Sequence, residues 1–315
     1  MGMLPAATPA QALALLSLPD ARLFEQAARL REAVFGRVVD LCAIINARSG
    51  NCVMDCRFCS QSRHNHTPIA VFNFLPDDAL RERILKLAAL PVNHIGIVTS
   101  GTALNEADLA HLRAVLAALP DAARPRICAS LGRLRTAQLE QLAGAGLTRY
   151  HHNLETAQSH YPRVCTTQTW EQRRDTVIRA QRAGLAVCTG GLFGLGESWE
   201  ERITFAFSLK ELGVRHVPMN FLHPHPQTPL AGQEILSADE ALRIIALFRH
   251  ILPEATLRIC GGRPATLGAR QHEIFAAGAN ALMTGDYLTT RGQGIEEDLA
   301  MIAAQGLEAG SHAQR

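Results

Sequence analysis

Apolar residues recur along this chain in two rhythms. Short runs rich in β-branched and small apolar residues, each ending near Gly, Asn, Ser or Thr, fall at 41–47, 93–99, 126–131, 148–154, 185–191, 214–221, 256–261 and 280–285 and read as strands handing over to loops. Between them, amphipathic stretches at 77–88, 106–118, 136–145, 170–183, 199–212 and 238–251 read as helices, each long enough for a right-handed crossover to the next parallel strand. Eight strands alternating with helices predict an α/β fold, a (β/α)8 barrel of the TIM type, with its chemistry at the C-terminal ends of the strands. Residues 1–36 read as an N-terminal helical extension, 37–305 as the barrel and 306–315 as a frayed C-terminal tail.

Composition narrows the function classes. With 315 residues, 47% hydrophobic and 19% charged, the chain can bury a large core. Its net charge of +2, with acidic and basic residues interspersed, gives no electrostatic case for binding nucleic acid or an anionic membrane. No window approaches the roughly 18 uninterrupted apolar residues of a membrane span, and the Leu-rich start lacks a basic flank, so a cytoplasmic location is expected. Eight cysteines in a long chain of this kind favour metal or redox chemistry over a disulfide framework.

Three of them, Cys52, Cys56 and Cys59, share the loop after the first expected strand, separated by three and then two residues. Three thiolates on one short loop can hold one face of a cubane iron–sulfur cluster, whereas structural zinc usually takes four ligands and catalytic zinc three. An open zinc site, a redox thiol group and incidental clustering are the other readings of this loop. Cys128, Cys188 and Cys260 fall on the third, fifth and seventh expected strands. Side chains from alternate barrel strands share a layer, so these thiols could converge inside the barrel, with Arg258 on the same strand face as Cys260. Three independent core cysteines are the alternative. Cys42 reads as a core residue of the first strand. Cys165 is a further candidate, but it precedes a helix rather than ending a strand and reads first as an ordinary buried cysteine, and His64, His66, His223 and His225 show no ligand spacing.

The triple-cysteine loop, with Phe58 just before its last thiol, resembles the radical SAM superfamily. That resemblance implies a 4Fe-4S cluster whose fourth iron has no protein ligand and instead holds S-adenosylmethionine, whose one-electron cleavage gives a 5′-deoxyadenosyl radical. The ordered set of Asn153 and Glu155, Cys165, Arg173, the glycine-rich run at 190–197, Asn220 and the run from Arg258 to Arg263 is similar to the biotin synthase family. The likeness spans the barrel from about Asn46 to Thr290. It implies a sulfurtransferase that inserts sulfur into dethiobiotin, drawing it from an auxiliary iron–sulfur cluster, with a flavodoxin- or ferredoxin-type electron donor and a homodimeric assembly.

By the same resemblance, Asn153 and Asn220 would hold the ureido ring of dethiobiotin, Arg173 the methionyl carboxylate, and Glu155 the ribose of S-adenosylmethionine. Gly190, Gly194 and Glu197 belong to the stretch that packs the adenine, although glycine-rich turns occur in many barrels for backbone reasons alone. The usual auxiliary cluster takes a cysteine at the end of the second strand, two more cysteines and an arginine. Here that second-strand region, 97–101, has no cysteine, while Cys128, Cys188 and Arg258 match and Cys260 is an added thiol. This resembles the type of biotin synthase with a different, iron-richer auxiliary cluster, for which Cys128, Cys188 and Cys260 are the expected ligands. The hydrogenase-maturase and methylornithine-synthase branches share the barrel and the loop, and a non-catalytic iron–sulfur carrier is the reading from outside enzymology.

Overall fold

In the computed structural model, which describes residues 5–311, every barrel strand is parallel to its neighbours. The strands are β1 (Val38–Arg48), β2 (His94–Thr99), β3 (Ile127–Ser130), β4 (Arg149–His151), β5 (Ala186–Cys188), β6 (Gly191–Phe193), β7 (His216–Phe221), β8 (Thr256–Ile259), β9 (Ala281–Met283) and β10 (Glu308–Ala309). The order β1-β2-β3-β4-β5-β7-β8-β9 closes through pairing of β9 with β1, giving the eight-stranded (β/α)8 barrel. The first and last four residues of the expected extension and tail lie outside the described residues.

Alternation explains the two faces of each strand. Val39, Leu41, Ala43, Ile45 and Ala47 of β1 join the main apolar core beneath the helices, so Asp40, Cys42, Ile44 and Asn46 turn to the lumen. The outer layer comprises α3 (Asp77–Ala88), α4 (Glu106–Ala117), α5 (Thr136–Gly144), α6 (Trp170–Arg182), α7 (Trp199–Glu211), α8 (Ala238–Ile251), α9 (Arg263–Leu267) and α10 (Ile295–Ala304). Ahead of the barrel, α1 (Pro9–Leu15) and α2 (Asp20–Phe35) lie against it, with Leu23 and Ala27 packed on Ala246 of α8. Among the described residues, no helix is long and apolar enough to cross a membrane.

Two departures from the sequence pattern have local causes. The expected fifth strand divides into β5 and β6: Cys188 pairs with His216 and Gly191 with Met219, but the ladder lapses between them opposite Pro218, which has no N–H to donate. The expected frayed tail is ordered at its start, because Glu308 and Ala309 pair with Val38 and Val39 and extend the sheet by one short strand. Nothing in two residues of tail sequence signals such pairing, which is made by backbone groups.

At the C-terminal side, the buried Arg263 of α9 donates from Nη2 to both carboxylate oxygens of Asp298 in α10, at 2.8 and 3.0 Å. The side chains are 2% and 0% exposed. Asp298→Ala would strand the guanidinium in the interior and should cost about 3–5 kcal/mol of unfolding free energy. Urea titrations of the cluster-free chain check this, and a loss below about 1 kcal/mol would show that the pair is solvated.

Candidate active site

The loop that follows β1 packs Cys56 into the apolar core, with Cys52 and Cys59 against it, and its course is fixed by hydrogen bonds to backbone groups. Cys52 donates its N–H to Gln61 O at 3.0 Å and accepts from Arg63 N at 2.9 Å. Asn65 Nδ2 donates to the carbonyls of Cys56 and Cys59 at 3.1 and 2.8 Å, and Ser62 Oγ donates to Met54 O at 2.6 Å. The loop is also clamped to the segment after β4. Asp55 Oδ1 accepts from Thr166 N, Thr167 N and the Cys165 thiol at 2.9, 3.1 and 3.1 Å, and Thr166 Oγ1 donates to its other oxygen.

The sequence pattern did not single out Asp55, although a carboxylate beside the middle cysteine was its available sign. Cys165 sits on Asp55 and hydrogen-bonds Cys56; that bond, together with burial, holds the Cys56 thiol well above its ordinary pKa. Burial pushes Cys59 up to about 11. Thiols held protonated in this way release protons when they bind iron.

Arg173 of α6 turns in toward this loop. Its Nε donates to Tyr161 Oη at 2.7 Å, and its Nη1 to Asn153 O and Glu155 Oε1 at 2.9 and 3.1 Å. Burial works against the Arg173 charge, but Glu155, Tyr161 and Cys56 together outweigh it and the pKa is raised; Glu155 itself is pushed up by burial, with Arg173 opposing. Glu155 takes a positive φ of 72°, and its carbonyl lies where a Cβ on Gly191 would stand, at 2.1 Å. A Cβ on Gly190 would come 1.9 Å from Pro218 O, so the paired glycines let neighbouring backbones approach.

The rest of that run is shaped by Glu197. Its Oε1 accepts from Gly194 N at 2.9 Å and Arg202 Nε at 2.8 Å, and its Oε2 from Leu195 N at 2.7 Å. The carboxylate therefore faces its own loop. Ser198 then caps α7, accepting from Glu201 N at 3.2 Å while Glu201 Oε2 accepts from Ser198 N at 2.9 Å.

Asn153 and Asn220 line the lumen toward the mouth. Asn153 Oδ1 accepts from Gly190 N at 3.2 Å. Asn220 Oδ1 accepts from Gly261 N at 3.0 Å and its Nδ2 donates to Gly191 O at 3.1 Å, which leaves one N–H and one lone pair of the amide for another partner.

Deeper in the barrel lies a second thiol group. Cys128, Cys188 and Cys260 are buried, and each thiol is raised in pKa chiefly by burial, Cys188 to about 11. Cys188 adds to the rise at both Cys128 and Cys260. Cys42 acts on all three, so it belongs to the lumen and not to the apolar core where its sequence context would put it. Arg258, 4% exposed, donates to Asp40 Oδ1 at 2.9 Å and Leu282 O at 3.1 Å.

Between the two thiol groups sits Tyr287, a residue that no motif marked. Burial raises its pKa, and Cys260, Glu155 and Cys59 add to that rise. Among the described residues, no three His, Cys, Asp or Glu side chains are close enough to grip a single metal ion. In an iron–sulfur cluster the thiolates bind different irons held apart by sulfide, so a wider spacing suits such a body.

Residues 47–209 match the family model described as the Radical SAM superfamily, and residues 218–308 that of the Biotin and Thiamin Synthesis associated domain. The chain is similar to the biotin synthase of Desulfovibrio desulfuricans, with 67% identity over 303 residues covering 96% of each chain. It is 44% identical to the biotin synthase of Nitratidesulfovibrio vulgaris over 95% of this chain and 86% of that one. Among solved structures, methylornithine synthase superposes with a TM-score of 0.84 at 20% identity, covering 98% of this chain and 95% of that one. The FeFe-hydrogenase maturase HydG from Carboxydothermus hydrogenoformans gives 0.82, also at 20% identity, over 95% and 75% of the two chains. Those two likenesses concern the fold.

The glycine contacts make a contrast that can be measured. Gly190→Ala must displace the Pro218 carbonyl and should destabilise the chain by about 3 kcal/mol or more, the upper end for an overpacked site. Gly144→Ala, at the end of α5 with nothing near its Cβ position, should be neutral or stabilising by up to about 1 kcal/mol. Equal melting temperatures for the two variants would contradict the close approach.

Proposed function

The chain belongs to the biotin synthase family of the radical SAM superfamily, and from that membership we propose a division of labour among its residues. The reaction is insertion of sulfur into dethiobiotin to give biotin, with S-adenosylmethionine as co-substrate. When bound, the 4Fe-4S cluster with S-adenosylmethionine supplies a 5′-deoxyadenosyl radical able to take hydrogen from saturated carbon, and the auxiliary iron–sulfur cluster supplies sulfur.

Cys52, Cys56 and Cys59 ligate the first cluster. Three ligands on a loop pinned by Asn65 and Asp55 leave one iron without a protein ligand. Arg173 and Glu155 orient the co-substrate. The guanidinium fork of Arg173 suits a carboxylate, and the buried Glu155 beside it suits a ribose diol. Gly190 and Gly194 bring backbone close to the adenine, and Glu197 acts by holding that loop in shape. Asn153 and Asn220 hold the ureido group, each using the part of its amide left over from backbone bonds. Cys128, Cys188 and Cys260 carry the auxiliary cluster, with Arg258 beside them as a positive charge.

The observation that carries this reading is the lumen itself: one thiol group at the mouth and one below it, with Asn153 and Asn220 level with Cys260 and one step above Cys188, and Tyr287 near Cys260 and Cys59. A non-catalytic carrier would have no use for the Arg173–Glu155 pair beside an open iron. We further propose a flavodoxin- or ferredoxin-type electron donor, a homodimer in solution and a cytoplasmic location. The unit carrying this chemistry is the barrel at 37–305, with 1–36 and 306–315 outside it.

Two experiments test the roles. Replacing Cys52, Cys56 and Cys59 together with Ala should abolish reductive cleavage of S-adenosylmethionine to 5′-deoxyadenosine, while the circular dichroism of the chain is kept. Cleavage at the wild-type rate would sink the assignment. Asn153→Ala removes a partner of a buried ureido group, at about 1–3 kcal/mol, and should weaken dethiobiotin binding roughly tenfold by equilibrium dialysis. Unchanged affinity would exclude that substrate pose.

A further inference from the structure

The fourth barrel strand carries a charge that no group of the chain answers. Tyr150 of β4 joins the apolar core beneath the helices and donates from Oη to Gly132 O at 2.6 Å, so alternation turns Arg149 and His151 into the lumen. Arg149 stands in register with Cys128 on β3 and Ala186 on β5, and its charge works against the rise that burial imposes on the Cys128 and Cys188 thiols. The residue is 6% exposed, its Nε is buried without a partner, and its side chain makes no hydrogen bond or ion pair among the described residues.

A guanidinium keeps its proton, so burying one without a partner is strongly unfavourable. Arg249, also buried, shows how the fold can satisfy such a group: it donates to the carbonyls of Gly278, Pro253 and Ala255 at 2.8 Å each and to Asn280 Oδ1 at 2.7 Å. Arg258 has Asp40. For Arg149 no buried carboxylate remains among the described residues. Asp40 gives its second oxygen to His94, Glu155 faces Arg173, Glu197 faces its own loop and Arg202, and Asp298 faces Arg263. The lumenal histidines, His94, His151 and His216, can be neutral or positive but not negative. The lumen therefore holds a surplus positive charge beside Cys128.

We propose that Arg149 is the fixed counter-charge of the auxiliary cluster, a positioning residue that does not ligate it but balances its negative charge and raises its reduction potential. The inference rests on the proposed placement of that cluster at Cys128, Cys188 and Cys260. A body built of thiolates and sulfides is the anion that the surplus charge calls for. In a dry lumen, where salt screens little, a fixed positive charge favours the more reduced and more negative state. That bears on sulfur transfer. A carbon radical brings one electron to a new carbon–sulfur bond and a sulfide lone pair brings two, so one electron is left over and reduces an iron of the cluster. Arg149 makes that uptake easier, whereas Arg258, already balanced by Asp40, contributes less.

The test uses the full chain, reconstituted anaerobically with both clusters, and follows redox titrations by electron paramagnetic resonance and visible absorption. Arg149→Met and Arg149→Gln should both shift the auxiliary midpoint potential to lower values, while the cluster at Cys52, Cys56 and Cys59 keeps its own. Arg149→Lys, which retains the charge, should recover most of the shift. An unchanged auxiliary potential in Arg149→Met and Arg149→Gln overturns the proposal, and so does an equal shift in Arg149→Lys, which would mark a packing effect. Should Arg149→Met fail to fold, Arg149→Gln decides. Loss of auxiliary iron from the two uncharged variants with full iron in Arg149→Lys supports the need for charge, and loss from all three overturns it. Replacing Cys128, Cys188 and Cys260 together with Ala checks the placement separately. If that variant keeps the auxiliary iron, the placement fails and the inference with it; if it loses the iron while the arginine variants keep the wild-type potential, the inference alone fails.

Discussion

The inside of this barrel depends on the ion pair between Arg258 and Asp40. Both groups are almost wholly buried, and the carboxylate is shared, one oxygen with Arg258 at 2.9 Å and the other with His94 Nε2 at 3.1 Å. Burial alone would push the Asp40 carboxyl up in pKa, but Arg258 and then His94 overcome it and hold the carboxylate ionised. The pair ties β8 to β1 across β9, whose Leu282 carbonyl takes the other arm of the guanidinium. A floor of charge is costly to build and cannot be half removed, because either partner left alone would be an uncompensated buried ion.

That floor sets the electrostatics of everything above it. The thiols of Cys42, Cys188 and Cys260 feel burial first, which raises them, and Arg258 pulls against it. A lumen of aliphatic side chains would pack as well and would need no such arrangement. Cysteines ringed by guanidinium groups instead form a place where a polynuclear anion lowers the energy of groups that are otherwise poorly served, Arg149 above all. The mouth follows the same logic on a smaller scale. Arg173 is kept charged against burial by Glu155, Tyr161 and Cys56 together, and the cysteine loop is fastened to the same neighbourhood through Asp55.

Much of this was legible in the sequence because it rests on periodicity. Helix α3 runs from Asp77 to Ala88, as its amphipathic pattern predicts, and eight expected strands correspond to eight barrel strands. The cysteine loop was legible because its spacing is local. Cys42 was not: a single thiol in an apolar run looks like core, and only the phase of the strand, fixed by Leu41 and Ala43 facing the helices, turns it inward. The break between β5 and β6 depends on Pro218 in a neighbouring strand, and the pairing of Glu308 and Ala309 on backbone alone. Tyr287 gains its place from the loop after β9, whose Thr289 Oγ1 meets Ser60 Oγ at 2.8 Å; such a contact joins residues 229 positions apart and leaves no local trace.

Closure is what lets distant residues act on one site. Followed strand by strand, with a step of two residues at every second strand, the register carries Cys42 to the level of Cys128, Cys188 and Arg258 and back to Cys42 through the pairing of Met283 on β9, so an error of one residue anywhere would put at least one of these side chains on the outer face. The same closure brings the loop after β1 and the loop after β9 side by side, and with them Cys59, Glu155, Tyr287 and Cys260. The two thiol groups are therefore not independent motifs that happen to share a chain. One sits in the lumen and the other over it, and the clamp of Asp55 on Thr166 and Thr167 fixes where the loop of Cys52, Cys56 and Cys59 stands above the barrel.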